Sequence, residues 1–102
     1  MQVEFHALAE ARLLEIWSYT EENWGDAQAD RYIRELMDAA HQLSDPVYAG
    51  RPVNDPELPG VYFIRYQHHF VFFRRLSKSK TGVINILHES MDIPARLKAD
   101  LP

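Results

Sequence analysis

The chain has no cysteine, so neither a disulfide nor a thiolate metal centre is available to it, a composition that suits a reducing cytosol. It has no apolar run near the roughly 20 residues that cross a bilayer. Its first residues, MQVEFHALAE, lack the basic start and long apolar stretch of a secretory signal. Basic residues are scarce in the first half. Residues 1–45 hold three against ten acids, a net of −7, while residues 46–102 hold eight against five, a net of +3, which together give the −4 of the whole chain. That balance lacks the concentrated positive field that phosphate backbones require, so direct sequence-specific DNA binding is not expected, and the polarised surface favours a protein partner. Missing too are a GxSxG elbow, a Walker loop, an HExxH helix and a dinucleotide-binding glycine fingerprint. No cofactor is implied. What remains is 102 residues, 46% hydrophobic and 25% charged, enough for one globular domain over 1–102 with a modest core, expected in the cytoplasm.

Periodicity divides that domain in two. Val3 to Phe5 alternate briefly, as an edge strand does. From Ala9 the spacing turns helical, with Leu13, Ile16, Trp17, Thr20 and Trp24 on one stripe. Gly25 suits a helix end and Asp26 the N-cap of a second helix, whose stripe of Ala29, Tyr32, Ile33, Leu36, Ala40 and Leu43 runs to about Ser44. So tight a link predicts an antiparallel hairpin. Residues 45–60 hold four of the six prolines and two of the four glycines and read as a long ordered loop. Three β-branched and aromatic runs follow, at 61–67, 70–76 and 82–88, joined by short connections that predict an antiparallel meander. Asp92 can cap a last short helix with Pro94 in its first turn. The expected fold is α+β, a helical hairpin packed on one face of a small antiparallel sheet, with Trp17, Tyr32, Leu36 and Phe72 in the core between them.

Chemistry-bearing residues are few. His68 and His69 are adjacent, so in a strand they point to opposite faces and cannot converge on a metal; His6 and His41 stand alone, and no metal site is expected. The basic set is Arg65, Arg74, Arg75, Lys78 and Lys80. Arg74 and Arg75 face opposite ways, so at most one shares a groove with Arg65 and His88. Convergent arginines with His88 as acid or base would suit an anionic transition state. The alternative is that they coat the open face of the sheet or meet a partner's carboxylates. RNA cleavage by 2′-hydroxyl attack needs a base and an acid besides phosphate stabilisers. The sequence offers one proton carrier at the strand exit, His88, with Tyr66 on another strand.

The order of EIWSYTEENWGDAQADRYI (15–33), GRP (50–52), YFIRYQHHFVFFRR (62–75) and INILHESMDI (84–93) resembles the RelE/ParE toxins of bacterial type II toxin–antitoxin systems, with the ParE branch the nearer. The Trp-x-Tyr-Thr, Trp-Gly and Gln-Ala-x-x-Tyr elements of the first half and the Leu-His-x-x-Met-Asp ending carry the likeness over nearly the whole chain. The resemblance implies a toxin that poisons DNA gyrase and is silenced by a cognate ParD-like antitoxin in a hetero-oligomer. Its alternatives are a RelE-like ribosome-dependent endoribonuclease of messenger RNA, using Arg65, Arg74 and His88, or a non-toxic remnant that only binds antitoxin. The RNA-cutting branch places a His or Tyr just beyond its last strand. Here those positions are Ser90 and Met91, so HESMD (88–92) reads as a strand exit and helix cap, and no residue is assigned a catalytic role. An antitoxin helix and extended segment would find apolar anchors at Met37, Phe70 and Phe73, and charged partners at Arg65, Arg74 and Arg75, with His88 at the margin.

Overall fold

The structure is a computed structural model that describes residues 2–45 and 50–100. Strand β1 (Gln2–Phe5) leads into helices α1 (Ala7–Trp24) and α2 (Asp26–His41), and α2 tightens into a 3-10 turn at Gln42–Ser44. Then follow β2 (Arg51–Pro52), β3 (Tyr62–Tyr66), β4 (His69–Ser77), β5 (Lys80–His88) and α3 (Ile93–Asp100). The meander β3–β4–β5 is antiparallel, as its short connections require. The sheet is nevertheless mixed and five-stranded, in the order β1-β5-β4-β3-β2. β1 is an edge strand that pairs parallel to β5, and the two residues of β2 rise out of the proline-rich loop to pair with β3. Of that loop, residues 46–49 lie outside the described residues.

One residue makes the hairpin turn. Gly25, at φ 90°, donates its N–H to the Glu21 carbonyl at 2.8 Å and accepts the Ala29 N–H at 3.1 Å. Gly25 therefore ends α1 and starts α2, and Asp26, expected as the cap, is already in the first helical turn with no side-chain capping bond. A carboxylate there still complements the helix dipole. Asp92 caps as expected: its Oδ1 accepts the Ala95 N–H at 3.4 Å and its carbonyl the Arg96 N–H at 2.9 Å.

The helical stripes cover only one of two cores. On the hairpin side Ala9, Leu36, Ala40 and Leu43 pack on Val71, Phe73, Val83 and Ile86. On the other side Leu58, Val61, Phe72, Leu87 and Leu97 form a second cluster beneath α3 and the loop before β3. Phe72 is thus buried, but on the face opposite the hairpin, and Phe73, expected as an exposed anchor, is wholly inaccessible. Strict alternation along β4 separates Val71 and Phe73 from Phe70 and Phe72. β5 breaks alternation by a bulge: Phe72 faces Asn85 while Phe73 faces Val83, so Val83 and Ile86, three apart, share the hairpin side. The displaced Asn85 accepts the neighbouring Ile86 N–H on its own side-chain oxygen at 2.9 Å and donates to Asp100 at 3.0 Å. Arg12 binds the same Asp100 oxygen at 2.9 Å, tying α1 to the end of α3.

Trp17 and Trp24, both on the helical stripe, are not core. Trp17 is half-buried and spans the hairpin, its indole N–H donating to Asp30 at 2.8 Å. Trp24 is 59% exposed and packs edge-on against Tyr19. Among the described residues no helix is long and apolar enough to cross a membrane.

Candidate functional site: a histidine-lined groove

The β3–β4 turn creates the site. Gln67 takes a left-handed φ of 54°, uncommon for a non-glycine residue, and Arg65 Nε donates to its carbonyl at 2.8 Å. The turn delivers His68 and His69 to the sheet end where β5 leaves at His88, and the register sets His69 opposite His88. The His69 and His88 rings meet edge to face at 5.1 Å, while His68 stacks over His88 at 6.2 Å. Helix α2 supplies the opposing wall. Tyr32 Oη lies 2.6 Å from His69 Nδ1, and Tyr66 donates to Glu35 at 2.6 Å. At the strand exit His88 Nδ1 accepts the Ser90 N–H at 3.0 Å and lies 2.7 Å from its hydroxyl. Glu89 accepts His68 Nδ1 at 2.8 Å and pairs with Arg65. Tyr32, Glu35, Tyr66, the three histidines and Ser90 line a groove of about 750 Å³ that also takes in Arg12, Arg31, Ile86 and the exposed Tyr19, Trp24 and Met91, while Arg65 and Glu89 lie outside it.

Environment fixes the protonation. Burial, reinforced by the nearby His88 and His68, pushes His69 down to about 4, so it is neutral at neutral pH. Burial, with the Glu35 carboxylate as acceptor and neighbour, pushes the Tyr66 phenol up to about 12. Burial also raises Tyr32, against a backbone hydrogen bond at His68 that lowers it. The His68 hydrogen bond, with Arg65 nearby, holds Glu89 below the usual carboxylate range. At neutral pH the groove therefore presents a neutral imidazole and two protonated phenols, groups suited to hydrogen bonding and stacking. Among the described residues no group of three or more His, Asp or Glu converges as a metal site.

His69 is expected to make the fold acid-sensitive. A group whose native pKa lies below its unfolded value binds more protons when unfolded, so its contribution is complete above about 6.5 and is lost as pH falls toward about 4. The expected loss across that window is on the order of 2 kcal/mol once partial solvent exposure is allowed for. Urea unfolding at stepped pH should show this decline in the natural protein and a clearly flatter one in His69→Gln. Equal slopes in the two proteins would remove His69 as the cause.

The residues singled out in the sequence scatter. His88 lies in the groove. Arg65 is at the same sheet end but on the other face, over the Phe70 ring at 5.4 Å. Arg74 shares the face of Arg65 but lies four residues beyond its partner Phe70 along β4, about 13 Å away. Arg75 turns to the hairpin side, where it donates to the Leu43 carbonyl and Thr81 hydroxyl and covers the Phe73 ring. Arg65, Arg74 and His88 are therefore not brought together, and Arg75 is a structural tie between the 3-10 turn and the sheet. Met37 is half-buried on α2. Phe70 is half-buried in a separate apolar groove of about 570 Å³ with Arg51, Phe63, Phe72, Ile93 and Leu97. Sequence reasoning missed the Tyr32–His69 and Tyr66–Glu35 pairs. The i, i+3 spacing of Tyr32 and Glu35 on one helix face is the signal that could have found them.

Comparison with known proteins agrees with this architecture. Residues 3–93 match the family described as the ParE toxin of the type II toxin–antitoxin system parDE. The chain is 38% identical to Toxin ParE of Escherichia coli over 94 residues, 89% of this chain and 87% of that one. It is 33% identical to Toxin ParE1 of Mycobacterium tuberculosis over 89 residues, 87% of this chain and 90% of that one. In structure it is similar to a chain of the chromosomal ParDE system from P. aeruginosa, with a TM-score of 0.74 at 18% identity over 86% of this chain and 95% of the other. The toxin–antitoxin complex RelBE2 from Mycobacterium tuberculosis gives a TM-score of 0.64 at 15% identity, over 88% and 92%.

Proposed function

Because the chain belongs to the ParE toxin family of type II toxin–antitoxin systems, we propose that it acts by binding, poisoning DNA gyrase in the cytoplasm until a cognate ParD-like antitoxin covers it. The observation that carries this reading is the dispersal of the set that the sequence suggested for RNA cleavage. Arg74 is remote from His88, and Arg65 is on the other face, paired with Glu89. A phosphoryl-transfer site needs its acid, base and charge stabilisers within hydrogen-bond reach of one reacting centre. The comparison structures are of toxin–antitoxin systems, which supports an antitoxin as the partner.

The endoribonuclease reading draws on the histidine corner, where His69, His88 and Tyr32 gather proton carriers beside Arg31. One induction experiment separates the readings. Expression without antitoxin is expected to arrest growth with DNA breaks and an SOS response, to inhibit supercoiling by purified gyrase, and to leave ribosome-bound messages intact. Codon-positioned cuts that vanish in His88→Ala or His69→Ala would replace gyrase with messenger RNA as the target. Normal growth with antitoxin binding retained would leave the non-toxic remnant.

A further inference from the structure

The three sheet arginines differ in what they touch. Arg65 is satisfied by the Gln67 carbonyl and Glu89, and Arg75 by the Leu43 carbonyl and Thr81. Among the described residues Arg74 Nε is not satisfied. Its Nε is the buried side-chain polar atom that lacks a hydrogen-bond partner among the described residues, and its guanidinium makes no ion pair with a described carboxylate. A buried guanidinium N–H left unpaired is costly, so a native protein meets such a group with water, an ion, a ligand or a partner.

Arg74 lines a cavity of about 370 Å³ together with His6, Leu8, Leu76, Ile84 and Leu97. Asp100 is also in the wall, but its Oδ2 is already held by Arg12 at 2.9 Å and Asn85 at 3.0 Å. We propose that this cavity receives one acidic side chain of the antitoxin, whose Asp or Glu carboxylate pairs with Arg74 while the apolar residues beside it pack on the aliphatic walls. The inference rests on the reading of this protein as a toxin silenced by an antitoxin. Three features select a carboxylate on a polypeptide. The Asp100 carboxylate in the wall opposes a doubly charged phosphate more strongly than a single charge. The walls are chiefly aliphatic, and Leu76 at 45% exposure offers a hydrophobic contact that a free anion cannot use. Leu97 lines both this cavity and the 570 Å³ groove beside Phe70, so the two flank α3, and a segment crossing α3 would meet both.

The test is a calorimetric titration of the purified toxin with the antitoxin from the adjoining reading frame. Arg74→Gln is expected to weaken binding by about 10- to 100-fold. Lys78→Gln, an exposed charge on the following turn, should stay within about twofold. Replacing each antitoxin Asp or Glu by its amide should reveal one position whose loss weakens the natural toxin but not Arg74→Gln. Thermal unfolding of each variant, with Arg74→Lys as a charge-retaining second variant of partial affinity, keeps a folding defect from passing as a lost contact. In the natural toxin alone, acetate should shift the Arg74 Nε–H resonance in NMR more than inorganic phosphate does at equal ionic strength. A tight complex indifferent to Arg74→Gln, or a resonance that answers only to phosphate, would overturn the carboxylate pocket alone. Absence of any complex with the natural toxin would overturn the antitoxin reading and this inference with it.

Discussion

Truncation of Phe73 to alanine is expected to destabilise the fold by about 3–5 kcal/mol, lowering the melting temperature by more than about 12 °C. The ring is fully inaccessible, stacks on Tyr62 at 6.0 Å and lies beneath the Arg75 guanidinium at 5.1 Å. It also abuts the backbone: a Cβ at Gly50 would come within 2.9 Å of the Phe73 Cζ. A void there has walls fixed by strand pairing and by the Gly50 segment, so it cannot relax by collapse, and poorly collapsing sites give the larger losses. The same substitution discriminates between roles. An exposed anchor for a partner would cost affinity and leave stability nearly intact. Urea unfolding of Phe73→Ala that differs from the natural protein by less than about 1 kcal/mol would reject the core assignment.

Leu36→Ala should cost about 2–5 kcal/mol, because Leu36 is 1% exposed at the centre of the hairpin–sheet core. Its packing partners come from the hairpin and from strands β4 and β5, so its loss loosens the seam on which the two-layer arrangement depends. The paired control is Trp24→Ala. Trp24 belongs to a helical stripe by spacing but is 59% exposed, and its substitution should stay within about 0.5 kcal/mol. Unchanged thermal unfolding of Leu36→Ala, or a large loss in Trp24→Ala, would mean that the hairpin sits on the sheet in another rotation.

The helix stripes were legible because burial on one side imposes a 3.6-residue period within each helix. The strand runs were legible because β-branched and aromatic residues crowd a pleated surface. The family motifs were legible for a related reason: Trp17, Trp24, Gly25, Tyr32 and the run Leu87–Asp92 hold recognisable places in the chain. The second core was less so. Leu58 and Val61 are in a proline-rich stretch without period, and Leu97 is in a helix of eight residues, so no local pattern announced that α3 and the loop cover the far face. Asp26 was misread by one position because a single glycine served two helices at once.

Sequence alone determined the class and order of the elements apart from β2, the hairpin and the family, since each follows from periodicity, turn chemistry or residues read within a short window. The tertiary structure decided which face each strand residue occupies, because the β5 bulge between Val83 and Asn85 reverses the alternation that a sequence reader must assume. It decided that β1 lies parallel to β5, a pairing across more than seventy residues that no local signal encodes. It gathered His68, His69, His88, Tyr32 and Tyr66 into one groove and, of the three sheet arginines, left Arg74 with a buried Nε that has no partner among the described residues. Proximity between distant residues is set by register and packing, where a shift of one residue moves a side chain to the other side of the sheet.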